Sequence, residues 1–472
     1  MKIVKKISFI SLVWVASTYA AEVPKVQDRS ALETAMKDSK MSGQIRYYYM
    51  SEDNKEGLRD YFGSAIGGKF KFETAPIAGI KAGIAFHTSQ FLSTNFNTTS
   101  TESTASDKNS RYVAGLMDAT DPSVTHLTGI GELYLNYKLS KTTATLGRMK
   151  LNTPFINPQD GRMIPTLEQG VWIISEEIED MTLQGGFIGS FWVRSTSQWS
   201  SVADSLGMYP QGNVPLNPGE APVASAYKGH TTSDGIYVAS LAYRGIKGMT
   251  LQAWDYYVDN IMNVAYAQAD YRDKFGAIDF SVAGQYIHEM EVGDGGNSDD
   301  THPEYSYIAK DEQSHTFGGK IAVGYASTML TLAATKVTDK GRFLFPREWG
   351  KEPLFTFQKR DRTDGSGDAT STLVTLGQDF KVVGLKGLTM LAGLGKYDKV
   401  DAKNWVLNKY ATPSYVQGNL DFNYVFSGTL KGLHVEYLFV RKYATGNTYN
   451  NANFIFRKND MNIHNLIVNY NF

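Results

Sequence analysis

The chain has 472 residues, a formal net charge of −1 and no cysteine, which excludes disulfides, zinc–thiolate sites and thiol nucleophiles and offers no basic surface for nucleic acid. It carries 28 Tyr, 24 Phe and 44 Gly at a mean hydropathy of −0.30. That is too polar for a bundle of membrane helices and unusually aromatic for a soluble enzyme, and it fits a large β-barrel between lipid and water.

In chain order, residues 1–20 read as a secretory signal. Lys2, Lys5 and Lys6 precede the apolar run 7–15, too short to span a bilayer as a helix, with cleavage near Ala20 or Ala21. Removing its three lysines takes the formal charge from −1 to −4. Residues 21–40 form a periplasmic leader, where Ser30 to Glu33 has capping-box spacing for a short helix; an unstructured leader is the alternative. No later run of about 20 apolar residues appears, so no membrane helix is expected.

From 41 to 472 the pattern is period-two alternation, predicting an all-β transmembrane antiparallel barrel of about 18 strands. Gln44, Arg46 and Tyr48 alternate with Ile45, Tyr47 and Tyr49; Lys69 and Lys71 with Phe70 and Phe72; Glu132 and Tyr134 with Leu133 and Leu135. Gln184, Ser190 and Arg194 are set against Leu183, Phe187, Phe191 and Val193, and Lys320 against Ile321 and Val323. From Tyr415 to Phe426, Gln417, Asn419, Asp421 and Asn423 interleave with apolar residues. Short connections such as 75–79, 139–141, 245–248 and 326–328 alternate with long ones at 88–128, 150–169, 196–233, 287–313, 338–370, 398–414 and 442–460. Periplasmic turns and external loops of an outer-membrane barrel alternate in this way. The last strand ends on Phe472, like the C-terminal signature read by the barrel-assembly machinery, and should pair with the first near Ile45.

Two long loops stand out. Residues 150–169, after Gly147 and Arg148, carry Pro154, Pro158 and Pro165 with Asp160-Gly161 turn chemistry. Arg148, Lys150, Asp160, Arg162 and Glu168 are the expected constriction set, a solvated charged loop being the plainer alternative. Residues 338–370 mix Arg342, Arg347, Arg360 and Arg362 with Phe343, Phe345, Trp349 and Phe355. So many aromatics suit a loop packed into the barrel mouth, with Arg342, Arg347 and Trp349 as its landmarks.

No Gly-x-Ser-x-Gly elbow, Walker loop or His-Glu-x-x-His motif occurs. The acidic stretch 291–300 contains Asp294, Asp299 and Asp300 but lacks EF-hand spacing, so a solvated loop tip is favoured over a calcium site. No cofactor or metal is expected.

At this point the residues resemble a family. Asp38-Ser39 through Tyr49, Gly147-Arg148, Thr153-Pro154, Arg162-Met-Ile-Pro165 through Gly170, Gly387 to Met390 and Leu466 to Tyr470 are similar, in order, to the OprD-type outer-membrane porins. The resemblance implies an 18-stranded channel narrowed by its third and seventh external loops, which by strand order are 150–169 and 338–370. It implies diffusive uptake of small solutes past a ladder of lumen-facing Arg and Lys. The sequence departs from that ladder: its late strands offer Asp379 with Lys381 and Glu436 beside Leu438. The expected lumen charges are Arg46, Lys69, Lys71, Glu132, Arg194, Lys320, Asp379, Asp421 and Glu436, a basic track thinner than the family's and displaced toward the first half. A preference for basic amino acids or simple carboxylates therefore does not carry over.

The reading is a porin for small polar, charged or zwitterionic solutes, oriented by opposed charges at the constriction. Its expected partners are outer-membrane lipid and lipopolysaccharide, and its state is a monomer or homotrimer. The alternative is a barrel enzyme or surface-binding protein with a plugged lumen and negligible conductance. A general-diffusion porin of about 16 strands is the nearest neighbour within the channel class.

Overall fold

The computed structural model describes residues 29–95, 112–118, 120–121, 124–159, 161–209, 226–450 and 459–472. The signal segment and Asp160 lie outside the described residues. A helix, α1 (Arg29–Lys37), precedes the first strand.

The first nine strands are β1 (Lys40–Asn54), β2 (Tyr61–Glu73), β3 (Ile80–Thr94), β4 (His126–Leu139), β5 (Thr142–Met149), β6 (Leu167–Ser175), β7 (Met181–Trp192), β8 (Trp199–Ser201) and β9 (Ile236–Tyr243). Five more are β10 (Met249–Val258), β11 (Met262–Phe275), β12 (Ile278–Glu291), β13 (Gln313–Tyr325) and β14 (Thr328–Val337). The last five are β15 (Thr370–Asp379), β16 (Leu388–Asp398), β17 (Tyr415–Val425), β18 (Leu433–Ala444) and β19 (Asp460–Asn471).

Every pairing is antiparallel, and β7 pairs directly with β9, so short β8 stands outside the ring. The ring of 18 strands closes where β1 meets β19, with Gln44 opposite Asn471 and Ile45 opposite Tyr470. No strand edge is left open along that seam.

Alternation sets the two faces. On β17, Gln417, Asn419 and Asp421 are buried in the interior while Leu420 between them is exposed. Outward Leu, Ile, Val and Tyr stay exposed because their solvent is lipid. Two expected loops are shorter than the sequence suggested: β3 runs on to Thr94 and β12 to Glu291. Their polar upper residues keep the alternation above the bilayer. On the loop side, 55–60 and 259–261 are short.

One run of faces differs from expectation. Phe191 and Val193 were set outward, yet both are fully buried. The β6–β7 ladder slips between Gln169 and Gly170, whose partners are Ser190 and Ile188. The extra residue, Gly189, is a bulge, and it turns the following side chains to the other face.

Candidate pore constriction

Loop 3 (150–166) leaves β5 and folds inward. A turn closes its start: Thr153 N–H donates to Ile156 O at 2.8 Å, and Ile156 N–H to Thr153 Oγ1 at 3.0 Å. This points Phe155 into a ring cluster, with centroids 4.6 Å from Phe345, 5.5 Å from Tyr256 and 5.8 Å from Tyr266. Loop 7 (338–369) supplies the other side. Trp349 stacks on Phe191 at 5.3 Å and donates from Nε1 to Ser205 Oγ at 2.7 Å. Around them lies the largest apolar cluster, reaching Ile188, Val238, Trp254, Val264 and Ile287 on the wall.

The two loops are sewn together through backbone. Asn157 Nδ2 donates to Lys351 O at 3.0 Å, and Lys351 N–H returns to Asn157 Oδ1 at 3.0 Å. Gln159 Nε2 donates to Gly350 O at 2.5 Å. Gly350 is required here: a Cβ on it would stand 1.9 Å from Phe155 O.

Buried wall carboxylates anchor the loops. Glu289 on β12 accepts from the N–H groups of Leu344 and Phe345 at 2.7 and 3.0 Å. Glu168 on β6 accepts from Leu151 N–H at 2.8 Å. Glu52 on β1 accepts from Tyr112 and Val113 N–H, both at 2.7 Å, holding the second external loop. A carboxyl oxygen satisfies inward-folded amides that water cannot reach. Within loop 7, Arg347 grips Asp364 through two bonds at 2.9 and 3.1 Å, while Arg342 ties the loop to Glu312 of the β12–β13 connection at 2.8 and 2.6 Å.

From this apolar side the loop tips cross to the opposite wall. Arg46 on β1 donates to Arg162 O at 2.5 Å and to Asn469 Oδ1 on β19 at 2.7 Å. Tyr48 Oη donates to Gly161 O at 3.3 Å. Arg360 Nη2 reaches Tyr48 Oη at 2.5 Å and Asn465 Oδ1 at 2.8 Å. Lys359 O accepts from Gln417 and Asn419, and its Nζ lies 2.7 Å from both Asp421 and Glu436.

The result is a cluster of guanidiniums. Burial first, then Arg360 and Arg194, push Arg162 well below its ordinary value. An Arg stays charged nonetheless, so the cluster concentrates positive charge where the two loops meet. The Nε atoms of Arg162, Arg194 and Arg360 are shielded and have no hydrogen-bond partner among the described residues.

The sequence-expected residues divide. Arg162 is at the junction of the two loops. Arg148 is not: it pairs with Leu133 on the outward face and lies 4.7 Å over the Trp199 ring. Counting from Leu146, which is also outward, gives this parity; placing Arg148 in the eyelet treated it as loop. Lys150 is exposed beyond the strand end. Glu168 is fully buried as the loop 3 anchor, so it offers no free charge to a solute.

Of the lumen set, Lys71 binds Glu132 at 2.7 Å, Lys320 lies 3.8 Å from Asp270, and Lys69 is half-buried. Arg194 lies beyond the end of β7, 5.8 Å over the Tyr209 ring. Asp379 caps the periplasmic turn after β15 by accepting from Lys381 N–H at 2.9 Å. The basic groups of the second half, expected to be sparse, come from Lys359 and Arg360 of loop 7 and from Lys442, which is buried on β18. Lys442 shares the face of Glu436, Leu438 and Val440, and that spacing was the available signal. Among the described residues, no group of three or more His, Asp or Glu is placed to hold a metal ion.

An 18-stranded barrel with two inward-folded loops, and arginines where they meet, has the build of an outer-membrane channel. The family model for outer membrane porins of the OprD family matches residues 34–472, and the chain belongs to that family. No curated protein matches it by sequence. Among solved structures it is similar to Pseudomonas aeruginosa OpdK with vanillate, at 16% identity and a TM-score of 0.70, covering 93% of this chain and 99% of that one. Pseudomonas aeruginosa OccK8 (OprE) gives 18% and 0.71, and Acinetobacter baumannii OccAB2 gives 14% and 0.72, with the same coverage. The chain is an outer-membrane porin for passive diffusion of small solutes.

Proposed function

We propose that this porin selects small organic anions. The observation that carries the reading is the convergence of Arg46, Arg162, Arg194 and Arg360 where loops 3 and 7 meet the β1–β19 wall. Among the described residues, the Glu52 carboxylate, which faces Arg162 and Arg360, is engaged by two backbone amides. In a narrow passage between low-dielectric walls, a few fixed charges dominate the field. Below the arginines, Lys359 with Asp421 and Glu436, and Lys71 with Glu132, form charge-paired stations that suit polar substituents. OpdK was solved with vanillate, an aromatic carboxylate, and the guanidinium cluster here supports the same chemical class. The test is the reversal potential of the refolded protein in a planar bilayer under a salt gradient. An anion-selective potential, with benzoate-class anions carrying current, is expected; cation selectivity overturns the reading.

We read the protein as a channel without enzymatic activity, since the sequence holds no nucleophile motif. Removal of residues 1–20 on export, recognition of the strand ending at Phe472 by the assembly machinery, lipopolysaccharide around the external loops, and a monomeric or trimeric state belong to the same proposal.

A further inference from the structure

Outside the pore, at the external ends of β12 and β13, two histidines face each other across the ladder. His288 and His315 are register partners. Their rings are parallel within 2°, with centroids 4.6 Å apart. Both point away from the lumen, because Ile287, Glu289, Ser314 and Thr316 beside them are the buried inward residues. Toward the membrane centre come Tyr286 and Phe317, 5.1 Å apart, then exposed Val282, Ile321 and Val323. Toward the outside, β12 ends at Glu291 and β13 begins at Gln313. The imidazoles therefore stand just above an aromatic girdle, at the level of the lipid headgroups, where water and ions reach.

The same frame occurs on β18 and β19. Tyr437 Oη lies 2.8 Å from His464 Nδ1, as Tyr286 Oη lies 2.8 Å from His315 Nδ1. Opposite His464 the register partner is Phe439, with ring centroids 5.0 Å apart. An apolar ring thus fills the place that His288 holds on β12. His288 differs by having ring nitrogens, and its Nε2 is shielded with no hydrogen-bond partner among the described residues. A shielded, unpaired polar atom is unfavourable, so the stacking role alone does not account for a histidine there.

We propose that His288 and His315 form a two-donor site for a divalent transition-metal ion, with Cu2+ bound more tightly than Ni2+ or Zn2+. Directly paired strand positions hold their Cβ atoms about 4.5–5.5 Å apart, close enough for both imidazoles to turn onto one ion at about 2.0–2.1 Å. Imidazole donors without thiolate suit these metals, and Cu2+ heads their affinity order. When His315 Nδ1–H donates to Tyr286 Oη, the lone pair of its Nε2 is left for the metal, the usual role of such an outer partner. The remaining coordination positions are open to water or to a lipid phosphate.

The test is Cu2+ titration of the tag-free protein in detergent, read by calorimetry and by nitrogen hyperfine structure in electron paramagnetic resonance. One ion per chain with two imidazole nitrogens is expected. His288→Phe, which reproduces the β18–β19 frame, and His315→Phe each remove the two-nitrogen signal and weaken binding by more than about tenfold. His464→Phe leaves both unchanged. A His288→Phe protein that binds Cu2+ as the parent does, or a His464→Phe protein that loses as much, overturns the proposal. The site lies outside the lumen, so the result is independent of pore selectivity.

Discussion

From β7 to β12 the upper inner wall is apolar, with Ile188, Ile236, Val238, Trp254, Tyr256, Val264 and Ile287 all buried under loops 3 and 7. From β17 round to β2 the inner face below the second external loop is polar, carrying Gln417, Asn419, Asp421, Glu436, Asn465, Asn469, Arg46 and Lys71. The first half holds the loops by packing. The second touches them mainly through hydrogen bonds and ion pairs, from Arg46, Tyr48, Asn465 and Asp421, with Met163 of loop 3 seated in a smaller apolar cluster beside Tyr48 and Leu438. The aqueous path therefore belongs to the polar side, and the apolar side keeps the eyelet in place. Removing apolar contacts should widen the pore, whereas changing polar groups should alter what passes.

The largest effect is expected from Phe155→Ala. Losing a fully buried ring costs about 3–5 kcal/mol, here taken from loop packing rather than from the ring of strands. Larger, noisier single-channel conductance with an intact heat-modifiable barrel is the expected outcome; unchanged conductance breaks the division. Gly350→Val attacks the same seam through the backbone approach to Phe155 and should loosen both loops together. Next comes the double variant Arg162→Gln, Arg360→Gln, which should shift the reversal potential toward cations with little change in conductance. Asp421→Asn with Glu436→Gln leaves Lys359 unpaired and should shift it the other way by a smaller amount. Parallel shifts in the two variants would contradict the assignment.

The smallest effect is a pH dependence in the mouth loops. Burial, then Arg342, draws Lys409 down to about 7 from 10.5; its Nζ lies 4.1 Å from the Tyr307 ring and 4.5 Å from that of Tyr227. Burial, then Asp364, pushes Glu352 up to about 8 from 4.5. A lysine lowered on packing contributes stability above its free value that is lost as pH falls through about 7. A carboxyl raised on packing contributes stability below its free value that is lost as pH rises through about 8. Hydrogen-exchange protection of loops 7 and 399–414 should thus pass through a minimum between about pH 7 and 8. Lys409→Met should flatten the alkaline limb and Glu352→Gln the acid one.

The strands were legible because alternation is a local signal, as Gln417, Asn419, Asp421 and Asn423 on β17 show. The inward fold of loop 7 was also legible, in the density of Phe and Trp among its arginines. The eyelet was only partly so. Arg162, expected at the constriction, lies where the two loops meet, but Arg360 reaches Tyr48 across a sequence separation of 312, which no local pattern encodes. Glu52 and Glu289 face the interior from strand positions, yet they spend their oxygens on amides of distant loops, which their own local pattern does not mark. Phe191 was placed on the wrong face because a bulge changes parity without marking the composition.

The pairing of β1 with β19 also bears on how the molecule is made. Arg46 and Asn469 touch across a separation of 423 residues, and the Phe472 ring lies where a side chain on Gly43 would stand. The partner for the first strand lies more than 400 residues later in the chain, and such distant contacts form slowly. Until then β1 is an unpaired edge that invites association with other chains. The two ends of the barrel are neighbours in space, so a linker could join them and new termini could be opened in an external loop. Such a permuted chain would make the present seam early and leave another hairpin to close the ring.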